Sequence, residues 1–250
     1  MIINEYEIAE NVLATKTIND KSELFVVAKY LRNEMECDVS ETVAMLDNIL
    51  TKSDRNYNPI KAAKFLEKMS KKASDYKLKK VDYVDITQNE LDEIKKLDSI
   101  KLQRLAFTLL VYAKYNNKLS SDNDNWCNIK LNDLYKISRV STRNAKEKAL
   151  YLNRLNRLGY ISFSKKNTNL NCRYSLINEE EHNYALRISD IRELGYQYLA
   201  ITDKKQFVYC QKCGVIIKKK SKNDYSTKYC GTCTQQLRNE NLLKSFHKLD

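Results

Sequence analysis

The chain has 250 residues, yet only four glycines and one proline. These are the residues that interrupt helices, glycine through backbone entropy and proline through its missing N–H. Their scarcity argues against turn-dense β architectures and predicts a mostly helical protein. No apolar run approaches the roughly 18–20 residues that a membrane-spanning helix needs. The opening residues Met1-Ile2-Ile3-Asn4-Glu5 lack the basic-then-apolar pattern of a secretory signal. Histidine is nearly absent: there are His182 and His247, neither spaced from a partner as metal ligands are. No phosphate-cradling glycine loop and no nucleophile elbow occurs. Asp82, Asp85, Asp122 and Asp124 form loose acidic pairs without the calcium-loop pattern. The expectation is a protein that is not an enzyme and carries no catalytic residues.

What is present begins with cysteine. Of seven cysteines, four form two C-x-x-C pairs, Cys210-Gln-Lys-Cys213 and Cys230-Gly-Thr-Cys233. Each turn brings two thiolates to one metal ion, and two turns complete the tetrahedron of a structural zinc site. A disulfide pair or a redox motif is the alternative, but a redox site needs only one such turn. Gly214 follows the first pair and Gly231 lies inside the second, both suited to tight backbone around a metal. The implied cofactor is one structural Zn2+. Cys37, Cys127 and Cys172 are scattered, and an odd total beside a metal-type cluster favours a reducing cytosol.

Charge is partitioned along the chain. Residues 1–100 carry 16 Lys and Arg against 19 Asp and Glu, and residues 178–202 carry 2 against 5. Residues 101–177 carry 15 against 4, and residues 203–250 carry 11 against 4. Abundant Lys, Asn, Ile and Tyr fit AT-rich coding, which would raise lysine everywhere. The concentration of the +12 net charge in two segments instead suits a phosphate-binding surface.

The fold class expected is mainly α with small β elements, in four parts. Residues 1–98 form a helical domain. Helices are predicted over 22–35 and from Ser40, with a third opened by Asn58 and Pro59 and a fourth capped by Thr87 and Glu90. Residues 101–177 read as a winged helix-turn-helix. An apolar helix over 102–115 is followed by a short strand near Trp126 and a helix over 130–137. A turn at 138–140 leads to a longer helix capped by Ser141 or Thr142, with Ala145, Ala149, Leu152 and Leu155 inward. A hairpin over 160–177 completes the motif. Residues 178–203 are a linker with a short strand and a short helix. Residues 204–250 are the zinc module, ending in a helix from Thr234.

In such a motif the second helix enters the major groove led by its N-terminal residues, here Ser141, Thr142, Arg143, Asn144 and Lys146. Arg reads guanine, Asn reads adenine, and hydroxyls hold phosphate. Arg139 in the turn and Lys165, Lys166 and Arg173 of the wing are candidate phosphate contacts. Lys218, Lys219 and Lys220, between the cysteine pairs, are either a second phosphate-contacting finger or a solubilising loop. Tyr209 and Tyr229, each before a knuckle cysteine, are expected to pack the small core. Duplex DNA is the expected partner. A host protein complex and RNA remain alternatives, because winged helices and zinc ribbons also dock on proteins.

Several segments carry a resemblance. They are Arg104-Leu-Ala-Phe-Thr-Leu-Leu110, Ala113-Lys-Tyr115, Leu158-Gly-Tyr-Ile161, Leu194-Gly-Tyr-Gln-Tyr-Leu199 and the two knuckles. With these, the chain resembles winged-helix plus zinc-knuckle proteins of phages and mobile elements in low-GC Gram-positive bacteria. The resemblance implies a phage or prophage context in a bacterial host cytosol and supplies no catalytic residues. By analogy of fold it implies regulation of transcription or replication initiation.

Overall fold

Long helices follow from the shortage of helix breakers. The computed structural model describes residues 4–18, 21–54, 56–164, 171–177 and 183–246, and these contain ten α-helices and three small sheets. No helix among them is long and apolar enough to cross a membrane. By residue contacts the chain falls into two compact units. One comprises residues 2–80 with 211–213 and 229–250, and the other residues 81–210 with 214–228.

The first unit is built on α1 (Glu5–Thr15), α2 (Ser22–Asn33), α3 (Val39–Ser53) and α4 (Pro59–Ala73). Each start follows local chemistry. The Asn4 side chain accepts from the Tyr6 N–H, and Asn58 accepts from the Lys61 N–H, with Pro59 at the first helical position. Asp38 and Glu41 close a reciprocal capping box, so α3 begins ahead of Ser40. Ile8, Val12, Leu24, Val27, Leu31, Leu46, Ile49 and Leu66 form the core. Glu5 is buried and pairs with Lys29, and it also accepts from the Lys79 N–H at 2.7 Å.

The second unit opens with β1 (Val84–Thr87), α5 (Gln88–Lys95) and α6 (Ile100–Leu119). β1 pairs antiparallel with β5 (Tyr184–Ile188). That ladder groups residues 81–98 with the residues that follow, and it makes the expected linker strand part of the same sheet. Thr87 and Glu90 form the expected capping box, and both Glu90 oxygens also lie 2.8 Å from Lys114 Nζ. α6 is the spine of this unit: Leu102, Leu105, Phe107, Leu109, Leu110 and Val111 are fully buried.

After α6 come β2 (Trp126–Asn128), α7 (Leu131–Ile137), α8 (Ala145–Arg157), β3 (Ile161–Phe163) and β4 (Asn171–Tyr174). The three strands form one antiparallel sheet in the order β2–β4–β3. Cys127 stands directly opposite Cys172, and both are buried. α9 (Leu194–Thr202) packs on α6, with the Tyr198 and Phe107 rings 5.3 Å apart. β6 (Phe207–Tyr209) and β7 (Ile216–Lys218) pair antiparallel as a two-stranded ribbon. The terminal helix α10 (Gly231–Phe246) begins three residues ahead of the expected Thr234.

Candidate metal centre and basic surfaces

The four knuckle cysteines converge, with their sulfurs all within 4.8 Å of one another. Four thiolates about 2.3 Å from one tetrahedral ion would stand about 3.8 Å apart. Cys213 Sγ and Cys230 Sγ lie 3.7 Å apart. In the first knuckle the Cys210 N–H donates to the Val215 carbonyl, and the Gly214 N–H donates back to Cys210 O at 2.9 Å. That tight turn needs the left-handed backbone of Gly214, at φ 70°. In the second knuckle the Cys233 N–H lies 3.4 Å from Cys230 Sγ. Gly231 has no positive φ: it starts α10, and Cys233 sits in the first turn, where free N–H groups favour thiolates. Burial, then the neighbouring sulfurs of Cys213 and Cys230, push the Cys233 thiol far up. Four all-sulfur donors at this spacing fit a closed structural zinc site and leave no open coordination position for catalysis.

Two of the scattered cysteines also meet. The hydrogen bond with Cys172, then burial, raises the Cys127 thiol well above its usual range. Nothing in their sequence spacing signals this pair, because it depends on the β2–β4 register.

Several of the expected nucleic-acid residues are engaged by other groups of the protein. Arg139, in the turn after α7, has φ 54° and is held by both carboxylate oxygens of Glu193, with its guanidinium 5.1 Å from the Tyr196 ring. Glu193 raises the Arg139 pKa further. Arg173 is held by Asp124 through a side-chain pair and a 3.1 Å bond to its carbonyl. Lys165 and Lys166 lie outside the described residues.

The α8 start also differs from expectation. Neither Ser141 nor Thr142 caps it. Asn144 is the N-cap, and its Oδ1 accepts from the Glu147 N–H at 2.9 Å. Glu147 reaches back to accept from the Arg143 N–H at 2.6 Å, which holds its carboxyl below the usual range. Arg143 therefore precedes the helix, and the Asn144 oxygen is engaged by the cap rather than free to read a base. Leu152 and Leu155 face inward as expected, but Ala145 and Ala149 are exposed. The outward face carries Lys146, Ala149, Leu150, Asn153 and Arg157, with no carboxylate among them. The ambiguity of alanine hid this face, since its methyl suits either side of a helix. Arg154 is displaced from the face and pairs with Asp98.

In the zinc loop Lys218 and Lys220 are exposed. Lys219 is buried, and its ammonium donates to the Lys222 carbonyl at 2.5 Å. Asp224 organises the loop by accepting from Ser226, Thr227 and the Lys220 N–H. These donors, chiefly the Ser226 and Thr227 hydroxyls, hold its carboxyl well below the usual carboxylate range. Tyr209 and Tyr229 are exposed, Tyr209 by 70%, so they do not pack the core. Comparison with protein-family models, with curated proteins and with solved structures finds no match.

Proposed function

We propose that this protein binds duplex nucleic acid through the outward face of α8, with a structural zinc ion organising its C-terminal module. The observation that carries the reading is the composition of that face. Lys146 and Arg157 supply positive charge, Asn153 supplies a donor and an acceptor, and Ala149 allows close backbone approach. No carboxylate interrupts it, as a surface meeting phosphates requires. The order α6, β2, α7, α8, β3, β4 and the strand order β2–β4–β3 support a winged helix, in which the third helix of the set is the recognition element. Regulation of transcription or replication, in the bacterial cytosol and in a phage or mobile-element setting, is the biological role we attach to this binding. It rests on the resemblance noted in the sequence.

One observation favours a second reading, docking on a host protein complex. Leu150 lies at one edge of the α8 face and is 60% exposed. A large exposed apolar side chain is more useful at a protein interface than against phosphates.

The test is binding of zinc-loaded protein to random-sequence duplex DNA, single-stranded DNA and RNA across a salt series. Duplex binding that weakens steeply with salt, and that Lys146→Glu with Arg157→Glu abolishes, is the expected result. Absence of binding at low salt overturns the reading and turns the search to protein partners.

A further inference from the structure

The near-neutral charge of residues 1–100 conceals a sharp segregation. Residues 1–58 hold 6 Lys and Arg against 11 Asp and Glu, whereas residues 59–80 hold 8 lysines against Glu67 and Asp75. Five of those lysines lie on α4: Lys61, Lys64, Lys68, Lys71 and Lys72. At about 100° per residue all five fall within an arc of about 100°. That arc is opposite the buried stripe of Leu66, Ser70 and Ala73. All five are exposed, and four of them border one open surface depression together with Glu67 and Asp75.

Neighbouring lysines on this face are three or four residues apart, the spacing at which like charges repel most on a helix. Lys71 is relieved by Glu67 at 2.6 Å, and Lys72 lies 5.4 Å from the Tyr76 ring. Lys61, Lys64 and Lys68 have no carboxylate partner among the described residues. The helix tolerates this repulsion because its caps and its buried stripe hold it. A polyanion laid along the arc would relieve the repulsion and release its own counterions.

We infer that the lysine face of α4 is a second contact for a nucleic-acid phosphodiester backbone, separate from α8. A lipid surface fits less well. Ile60 and Phe65 are exposed by 88% and 58%, but they stand about 140° apart around the helix. An interfacial helix needs one continuous apolar face for the acyl boundary, and the continuous apolar stripe of α4 is turned into the protein. The lysines read no sequence, so this contact adds affinity and salt dependence without specificity. The inference rests on the nucleic-acid reading above.

The experiment uses the full zinc-loaded chain and the triple variant Lys61→Gln, Lys64→Gln, Lys68→Gln. Glutamine keeps helix propensity, and thermal unfolding with zinc content checks that the variant is folded. Random duplex DNA, single-stranded DNA and an RNA hairpin are titrated across salt, beside phosphatidylserine vesicles. Each phosphate contact contributes about 0.9 to the slope of log K against log salt on duplex. The triple variant is expected to lower that slope by roughly 2–3 and affinity on the order of tenfold. A wild-type protein that binds, with an unchanged slope in the folded variant, overturns the inference and leaves the α8 reading standing. Loss in the α4 variant, with none in the Lys146→Glu, Arg157→Glu variant, sustains the inference and removes α8. Failure of the wild type to bind any nucleic acid removes both. Vesicle binding that falls in the variant while nucleic-acid binding does not also overturns it.

Discussion

Arg139 and Glu193 grip one another across 54 residues of sequence, and each holds a left-handed backbone, at φ 54° and 58°. Both residues are punctuation points. Arg139 ends the turn after α7, and Glu193 opens α9. Their ion pair, with Tyr196 beneath the guanidinium, ties the α7–α8 turn to a segment that reads in sequence as a linker. Arg139, expected from the sequence as a phosphate contact, fastens the helix pair in this way.

The closest approach at this junction involves Gly195. A Cβ placed there would lie 2.0 Å from the Ser138 carbonyl oxygen, a backbone atom that cannot swing away. Gly195→Ala should destabilise the protein by about 1–3 kcal/mol or more, as overpacking does. Glu193→Gln, at a partly solvated pair, should cost only about 0.5–1 kcal/mol. Denaturant unfolding of the two variants gives the comparison. An unchanged midpoint for Gly195→Ala would show that α9 does not hold this contact in solution.

The cysteine cluster makes a stoichiometric prediction. Elemental analysis should find one zinc per chain, and titration with a mercurial should release it as mercaptides form at Cys210, Cys213, Cys230 and Cys233. Because metal affinity and folding are coupled, Cys210→Ser or chelation should make the residues around the knuckles sensitive to limited proteolysis. A protease-resistant C-terminal module in the Cys210→Ser variant would contradict this. Buried Cys127 and Cys172 should stay unreactive until global unfolding.

The start of α8 separates capping from recognition. Asn144→Ala should cost about 1 kcal/mol of stability through loss of the cap, so any binding defect in that variant is mixed with a folding defect. Asn153→Ala removes a side chain on the outward face without touching the cap. If α8 lies in a major groove, Asn153→Ala should relax sequence preference in a selection experiment while leaving the melting temperature in place. Arg143→Ala is expected to weaken binding. A selected site unchanged by Asn153→Ala would argue that α8 contacts only backbone.

Alkaline titration tests the packing of two tyrosines. Burial, aided by its hydrogen bond to Asp47, pushes Tyr57 up to about 12, and burial alone pushes Tyr198 up to about 12, from an ordinary 10.0. The folded state holds these protons more tightly than the unfolded state. Their contribution to stability is complete below pH 10 and is lost as pH rises through about 12. Difference absorbance near 295 nm should show late phenolate formation. Replacing Tyr57 by Phe should remove one late step, and ionisation of every tyrosine near 10 would refute the packing.

How far the sequence is legible depends on the range of the physics involved. The capping box of Thr87 and Glu90, the Asn58–Pro59 start and the two knuckles act over three or four residues, and they stand where the sequence places them. Sequence alone places the α8 start two or three residues early, because Ser141, Thr142 and Asn144 are all competent caps. Only the approach of Glu147 to the Arg143 N–H selects the last. The inward face of α8 was half legible, since leucine declares its side and alanine does not. The α4 lysine face is hidden in the net charge of residues 1–100, because the acidic residues before Pro59 cancel it.

Local composition alone determined a mainly helical chain, because few residues break helices, and it determined the four-sulfur donor set, because each C-x-x-C turn is self-contained. Tertiary structure decided which charges remain free. Arg139 finds Glu193, Arg173 finds Asp124 and Lys114 finds Glu90 across 54, 49 and 24 residues. Lys61, Lys64, Lys68 and Lys146 find no carboxylate at ion-pair distance among the described residues. Coulomb attraction acts through space, so no periodicity along the chain could have distinguished the two groups.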